Sequence, residues 1–294
     1  MNKYNSTLLD KHKDILSFRD LSAGTVATYV SYMNTYIQWT EENLSGKPLE
    51  NVTWEELRSY IRYLKEVRGL NSRTVNVHIA QLRDFYYYVL HRNWDRREVP
   101  FLRFDEHLPA VPSRDQVLSI IASLENPKHR AEVALLYSSG IRVSELCRLH
   151  CGDISMSSRN IYIARSKNRS DRYAILSDRA LSDLKVYIRT AFPDATQEDW
   201  LFPGRSRKDH ICTESVRLPF ARALSRLGLA DSGFSLHSLR HAFGLHLYEA
   251  GTDLMSIKEA MGHKALSSTT VYLTLGIGNG RAQDSRWLSV LRGP

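Results

Sequence analysis

Apolar side chains recur every three to four positions through the first hundred residues. In "SAGTVATYVSYMNTYIQWTEEN", Val26, Tyr29, Val30, Met33, Tyr36 and Ile37 fall on one face of a helix, and Ser22 offers the cap that starts it. Thr53 and Glu56 stand at capping-box spacing at the head of "TWEELRSYIRYLKEVRG", which Gly69 ends. A third run, "SRTVNVHIAQLRDFYYYVLHRNW", starts from a cap at Ser72. Short helices on tight links predict a small all-α domain over residues 1–98. The aromatic run Phe85 to Tyr88 reads as core rather than as a platform for stacked bases.

The pattern then breaks. Pro100, Pro109 and Pro112 each remove an amide donor and disfavour helix before them, which predicts an extended linker over residues 99–112. Ser113 caps a new helix, and the stretch 113–294 reads as a second domain of mixed structure. "RAEVALLYSSGIRVSELCRL" is a helix, a turn at Gly140 and another helix. In "NIYIARSKNRSDRYAILS" two alternating runs, 161–163 and 173–176, flank a polar, basic tip, the mark of a β-hairpin. Helical periodicity resumes from "RALSDLKVYIRTAF" to "SSTTVYLTL", with a tail helix near 284–291. The fold class expected is mainly α with a small β-hairpin in the second domain.

Size and composition fit this picture. A chain of 294 residues is comfortable for two domains, and 43% hydrophobic content is ordinary for a globular protein. No run of about 18 apolar residues exists to cross a membrane, and "MNKYNSTLLDKHKD" is too polar for a secretory signal, so a cytoplasmic protein is expected. The cysteines, Cys147, Cys151 and Cys212, are too few for a disulfide framework; Cys147, His150 and Cys151 lack a second pair at zinc-finger spacing, and the cysteines read as buried free thiols. A net charge of +8 suggests a polyanion as partner once a site for phosphate is found.

Candidate chemistry gathers in the second domain. Arg142 and Glu145 are three apart, as are His237 and Arg240 in "HSLRHAFGLHLYEAG", so each pair shares a helical face. By itself the first pair reads as a surface ion pair. His237 and His241 have metal-ligand spacing, but Ser238 stands where a metalloprotease helix has glutamate, and an Arg and a His near a helix start suit an anion better. His241 and His246 are expected to pack or hydrogen-bond in the core. His263 and Tyr272 lie nine apart, on opposite faces of one continuous helix; a stop at Gly262 and a restart at Ser267 or Ser268 would let both reach one site.

"SSGIRVSEL", "RSKNRSDRY", "HSLRHAF" and "MGHKALSSTTVY" occur in the order and near the spacing of the tyrosine recombinase, or phage integrase, family. The chain resembles its simple two-domain, Xer-like members over nearly its whole length. The resemblance implies a two-domain DNA clamp, with residues 1–98 as the helical core-binding domain and 113–294 as the catalytic domain. It implies Tyr272 as nucleophile, Arg142 and Arg240 as phosphate-clamping arginines, Lys167 at the hairpin tip as general acid, and His237 and His263 as the family's two further site positions. Glu145 would orient Arg142. Two departures stand out: Ser166 and Asn168 flank Lys167 where glycines are common, and Leu273-Thr274 follows the tyrosine where Xer-like chains commonly have Thr-His.

The activity so implied is site-specific DNA recombination. Tyrosine attacks a DNA phosphodiester, a 3′-phosphotyrosyl intermediate forms, and a 5′-hydroxyl from a second duplex reseals the strand. One ester replaces another, so no cofactor is implied, and two guanidiniums take the part a metal ion plays elsewhere. The implied partners are a double-stranded recombination site and further copies of the chain, four on two sites, with the tail around Trp287, Leu288 and Leu291 as a candidate helix docking in trans. The competing readings are a type IB topoisomerase-like nicking-closing enzyme and a DNA-binding regulator without catalysis.

Overall fold

A computed structural model describes residues 2–105, 107–164, 171–263 and 265–278. The chain divides into two compact units, Met1–Glu106 and His107–Pro294. No helix among the described residues is long and apolar enough to cross a membrane.

The first unit is helical. It runs through α1 (Lys3–Phe18), α2 (Ala23–Asn43), α3 (Trp54–Arg62) and α4 (Ser72–Tyr88). The Ser22 cap and the reciprocal Thr53–Glu56 capping box form as expected. The α4 cap is Asn71, not Ser72: its carboxamide oxygen accepts from the Thr74 amide at 2.8 Å, and Ser72 is itself the first residue of the helix. Helix α1 was not anticipated, because its surface is polar; only Asn5, Leu8, His12 and Leu16 turn inward, at helical spacing. After α3 the chain widens into one π-helical turn, Tyr63–Val67. An aromatic cluster of Tyr36, Tyr60, Tyr86 and Trp39 fills the core, with the Tyr36 and Tyr86 hydroxyls bonded to each other at 2.6 Å. The run Phe85 to Tyr88 splits: Phe85 and Tyr86 are fully buried, while Tyr87 and Tyr88 are exposed. Val99, the first residue of the expected linker, is buried in this same core.

The second unit packs helices around a small sheet. Its elements are α5 (Arg114–Ala122), α6 (Pro127–Ser139), α7 (Val143–Leu146), β1 (Ile154–Ser155), β2 (Asn160–Ile163), β3 (Arg172–Ile175), α8 (Asp178–Ala191), α9 (Thr213–Arg226), α10 (Leu236–Glu249), α11 (Leu254–Met261) and α12 (Ser267–Gly278). The expected hairpin is present as β2 and β3, antiparallel, with Ile163 opposite Arg172. A short third strand, β1, pairs with β2 and completes a β1-β2-β3 sheet. Ser113 caps α5 in a capping box with Gln116. Helix α6 is buried on nearly every side, with Ala131, Val133, Leu135 and Leu136 all inside, so it forms the spine of the unit. It ends at Gly140 in the left-handed conformation, which turns the chain straight into Arg142 and α7.

Candidate active site

The turn after α6 positions the first arginine. Arg142 precedes α7 in an extended conformation, and its backbone N–H donates to Glu145 Oε2 at 2.8 Å. Its guanidinium Nη1 donates to Glu145 Oε1 at 2.9 Å. The pair read from spacing is therefore formed, but not at the surface: Glu145 is 5% exposed. Flanking guanidiniums and the Arg142 amide outweigh the effect of burial and hold its carboxyl well down, at about 2. A second guanidinium shares the same carboxylate. Arg172, at the start of β3, donates Nη1 to Oε1 at 3.0 Å and Nη2 to Oε2 at 2.8 Å. By sequence Arg172 belonged to the basic tip of the hairpin; the alternation of β3 instead turns it to the same side as buried Ala174.

Helix α10 supplies the second arginine. Arg240 is 3% exposed, and its guanidinium bonds the Gly140 carbonyl, two residues before Arg142, and the Met261 carbonyl at 2.6 Å. It thus fastens the end of α6 to the end of α11. Burial, then the neighbouring Arg142, lowers its pKa to about 10, still high enough to keep it charged at neutrality. Three guanidiniums gather here against the single carboxylate of Glu145, so the cluster carries excess positive charge suited to an anion.

Helix α11 stops where Gly262 adopts φ 63°, and α12 begins at Ser267, the break that nine-residue spacing required. His263 sits in that break. Its Nδ1 lies 2.9 Å from the hydroxyl of fully buried Thr269, on the first turn of α12. Tyr272, two turns into α12 at most, is 1% exposed and packs with Phe243, Leu245 and Met261. Its ring packs closely against α10 because residue 244 is glycine: a Cβ there would stand 2.5 Å from Tyr272 Cζ. Burial lifts the phenol to about 12, and the Arg240 charge works against that rise.

Three imidazoles complete the cluster. The phenol oxygen of Tyr272 lies 3.5 Å from His241 Nδ1, the outer limit for a hydrogen bond. The His241 ring meets His237 edge-on, with centroids 4.8 Å apart. Burial lowers His241 and His263 to about 4 and lowers His237 as well, with nearby positive charge acting in the same direction, so all three are neutral at pH 7. His241 was expected only to support the core; instead it stands between His237 and the phenol. His246 does take the supporting role, with its Nδ1 2.9 Å from the Tyr137 hydroxyl. Lys167 lies outside the described residues. Among the described residues no three His, Cys, Asp or Glu side chains are grouped to hold a metal ion.

Arg142, Glu145, His237, Arg240, His263 and Tyr272 thus come from four separate segments into one cluster, joined by Arg172 and His241, which motif reading passed over. Comparison with known proteins points the same way. The phage integrase family model matches residues 112–276, and that family's N-terminal SAM-like domain matches residues 8–96. The tyrosine recombinase XerD of Caulobacter vibrioides is 31% identical over 242 residues, 78% of this chain and 79% of that protein. XerD of Rickettsia bellii is 29% identical over 283 residues, 89% of this chain and 91% of that protein. In fold, the chain resembles the XerH site-specific recombinase bound to its difH substrate before cleavage, with a TM-score of 0.68 at 20% identity over 90% of this chain and 80% of that one. The chain belongs to the phage integrase family and is a site-specific tyrosine recombinase of the Xer-like type.

Proposed function

We propose that this recombinase cleaves DNA with Tyr272 as nucleophile, on a phosphate held by Arg142 and Arg240. The observation that carries the assignment is the bonding of buried Arg240 to the Gly140 and Met261 carbonyls, which draws Arg142, His263 and the Tyr272 phenol around one guanidinium. A phosphodiester resists attack because its oxygens repel the nucleophile and gain charge in the transition state. Fixed guanidiniums stabilise that charge and never deprotonate near neutrality. The phenol must lose its proton as its oxygen bonds phosphorus. Neutral His241, the nearest imidazole, accepts it, and His237 beside it relays it onward. As the P–O5′ bond breaks, the leaving oxygen takes a proton from Lys167, and the strand is left as a 3′-phosphotyrosine with a free 5′-hydroxyl.

The partner on this reading is duplex DNA carrying a recombination site. On this reading residues 1–98 contribute a second grip on the DNA, with 99–112 as the connection to the catalytic residues 113–294. Solved relatives are described bound to such DNA, one of them as a dimer on a core site. Exchange between two duplexes calls for four copies, with the tail near 284–291 passing between neighbours. The protein works in the cytoplasm, where its DNA is.

The test is direct. DNA trapped covalently on the protein in its host is sequenced, and the recovered site is built into a nicked suicide duplex. Tyr272→Phe should bind that duplex as the unaltered chain does and form no SDS-stable adduct. A normal adduct yield would remove Tyr272 from the role.

A further inference from the structure

The motifs leave Arg172 without a role, yet it is well enclosed: its side chain is 11% exposed and the carboxylate it holds is 3% exposed. Exposed ion pairs are worth little, but this one is sheltered and bidentate, so its geometry is fixed. The two oxygens of Glu145 are shared out. Each accepts one guanidinium N–H from Arg172, one also takes the Arg142 backbone amide, and the other takes Arg142 Nη1. Arg142 is left a single side-chain bond to Glu145. Were Arg172 absent, both oxygens would open to Arg142, three residues away, and its fork could close on the carboxylate rather than on an anion. The stem of Arg172 also lies against the break that carries His263: a Cβ on Gly262 would stand 2.6 Å from Arg172 Cδ.

We propose that Arg172 is a positioning residue for DNA cleavage. It occupies the Glu145 carboxylate so that Arg142 faces the scissile phosphate, and its stem backs the break that carries His263. The inference rests on the function proposed above.

The probe is the nicked suicide duplex carrying the site recovered from covalent capture. Arg172→Gln, Glu145→Gln and the double variant are compared with Arg142→Ala. Arg172→Gln should bind the duplex within about threefold of the unaltered chain and form adduct roughly 100-fold more slowly in a single turnover. Because the two residues act through one carboxylate, the double variant should be no slower than the slower single. A methylphosphonate at the scissile linkage removes the charge Arg142 must meet. On that duplex Arg172→Gln and the unaltered chain should differ by less than about threefold. Should Arg172→Gln not fold, Arg172→Lys, which keeps the charge but not the fork, carries the same comparisons.

Multiplicative losses in the double variant, an undiminished defect on the methylphosphonate, or unchanged cleavage by Arg172→Gln beside an impaired Arg142→Ala would each overturn this inference alone. Full activity in Arg142→Ala, or no adduct from the unaltered chain, would instead overturn the proposed function and the inference with it.

Discussion

The phenol of Tyr272 is a poor nucleophile while neutral, and burial makes its ionisation harder still. A base beside it matters accordingly, and the imidazoles are suited to that work only when unprotonated. His241 and His263 lie at about 4, depressed from the ordinary histidine value, so they charge only as pH falls towards 4. Adduct formation at limiting protein concentration, which reports the groups of the free enzyme, should therefore show no limb from these two histidines between about pH 6 and 8. A fall in rate centred near 6.5 would contradict this. Gly244 is a second lever on the same atom. Gly244→Ala places a methyl against the phenol ring and should slow cleavage by at least about tenfold, with duplex binding unchanged; an unaltered rate would show that the ring does not work from its place against α10. Spacing alone was enough to pair Arg142 with Glu145 and His237 with Arg240, and to require a break between His263 and Tyr272. Arg172 and His241 escaped for different reasons. Extending the alternation of β3 by one residue puts Arg172 on the inner face with Ala174, but its place among basic neighbours disguised it. His241 shares a face with His237, yet spacing cannot tell a helix's core side from its site side.

At the scale of elements, the capped and strongly periodic helices were legible, and the polar ones less so. Helix α1 presents few apolar residues, and one inward position is a histidine. His12 is 1% exposed, meets Phe85 edge-on at 5.4 Å, and neither ring nitrogen has a partner among the described residues. An unpaired buried polar group destabilises, so His12→Leu should raise the stability of the first unit by about 1–2 kcal/mol, read from denaturant midpoints. Lower stability would mean that the ring makes bonds that matter. His78, also buried, lies with His12 at about 4. Their folded pKa values are below the unfolded value, so between about pH 6.5 and 4 the unfolded chain binds more protons and stability drops as pH falls. Melting curves across that window should show this loss, reduced in His12→Leu. Strand β1 was too short, at two residues, to stand out from the turn around it. The hairpin, with alternating runs on both sides of its tip, was not.

For the whole molecule, a charge of +8 predicts that duplex binding weakens steeply as salt rises, through release of counterions from DNA. On the proposed mechanism the two arginines stabilise the phosphate charge without a divalent ion, so chelation with EDTA should leave the rate of adduct formation within about twofold; a strict Mg²⁺ requirement in the chemical step would count against it. What no reading of pattern supplies is the DNA sequence recognised, because base readout depends on how side chains meet the grooves. The account comes down to a covalent bond between one tyrosine and DNA. The adduct trapped on a nicked suicide duplex can be digested with protease and nuclease, and the modified peptide sequenced by mass spectrometry. The predicted result is a nucleotide joined through its 3′-phosphate to Tyr272. A phosphate on any other residue, or a 5′ linkage, would contradict it.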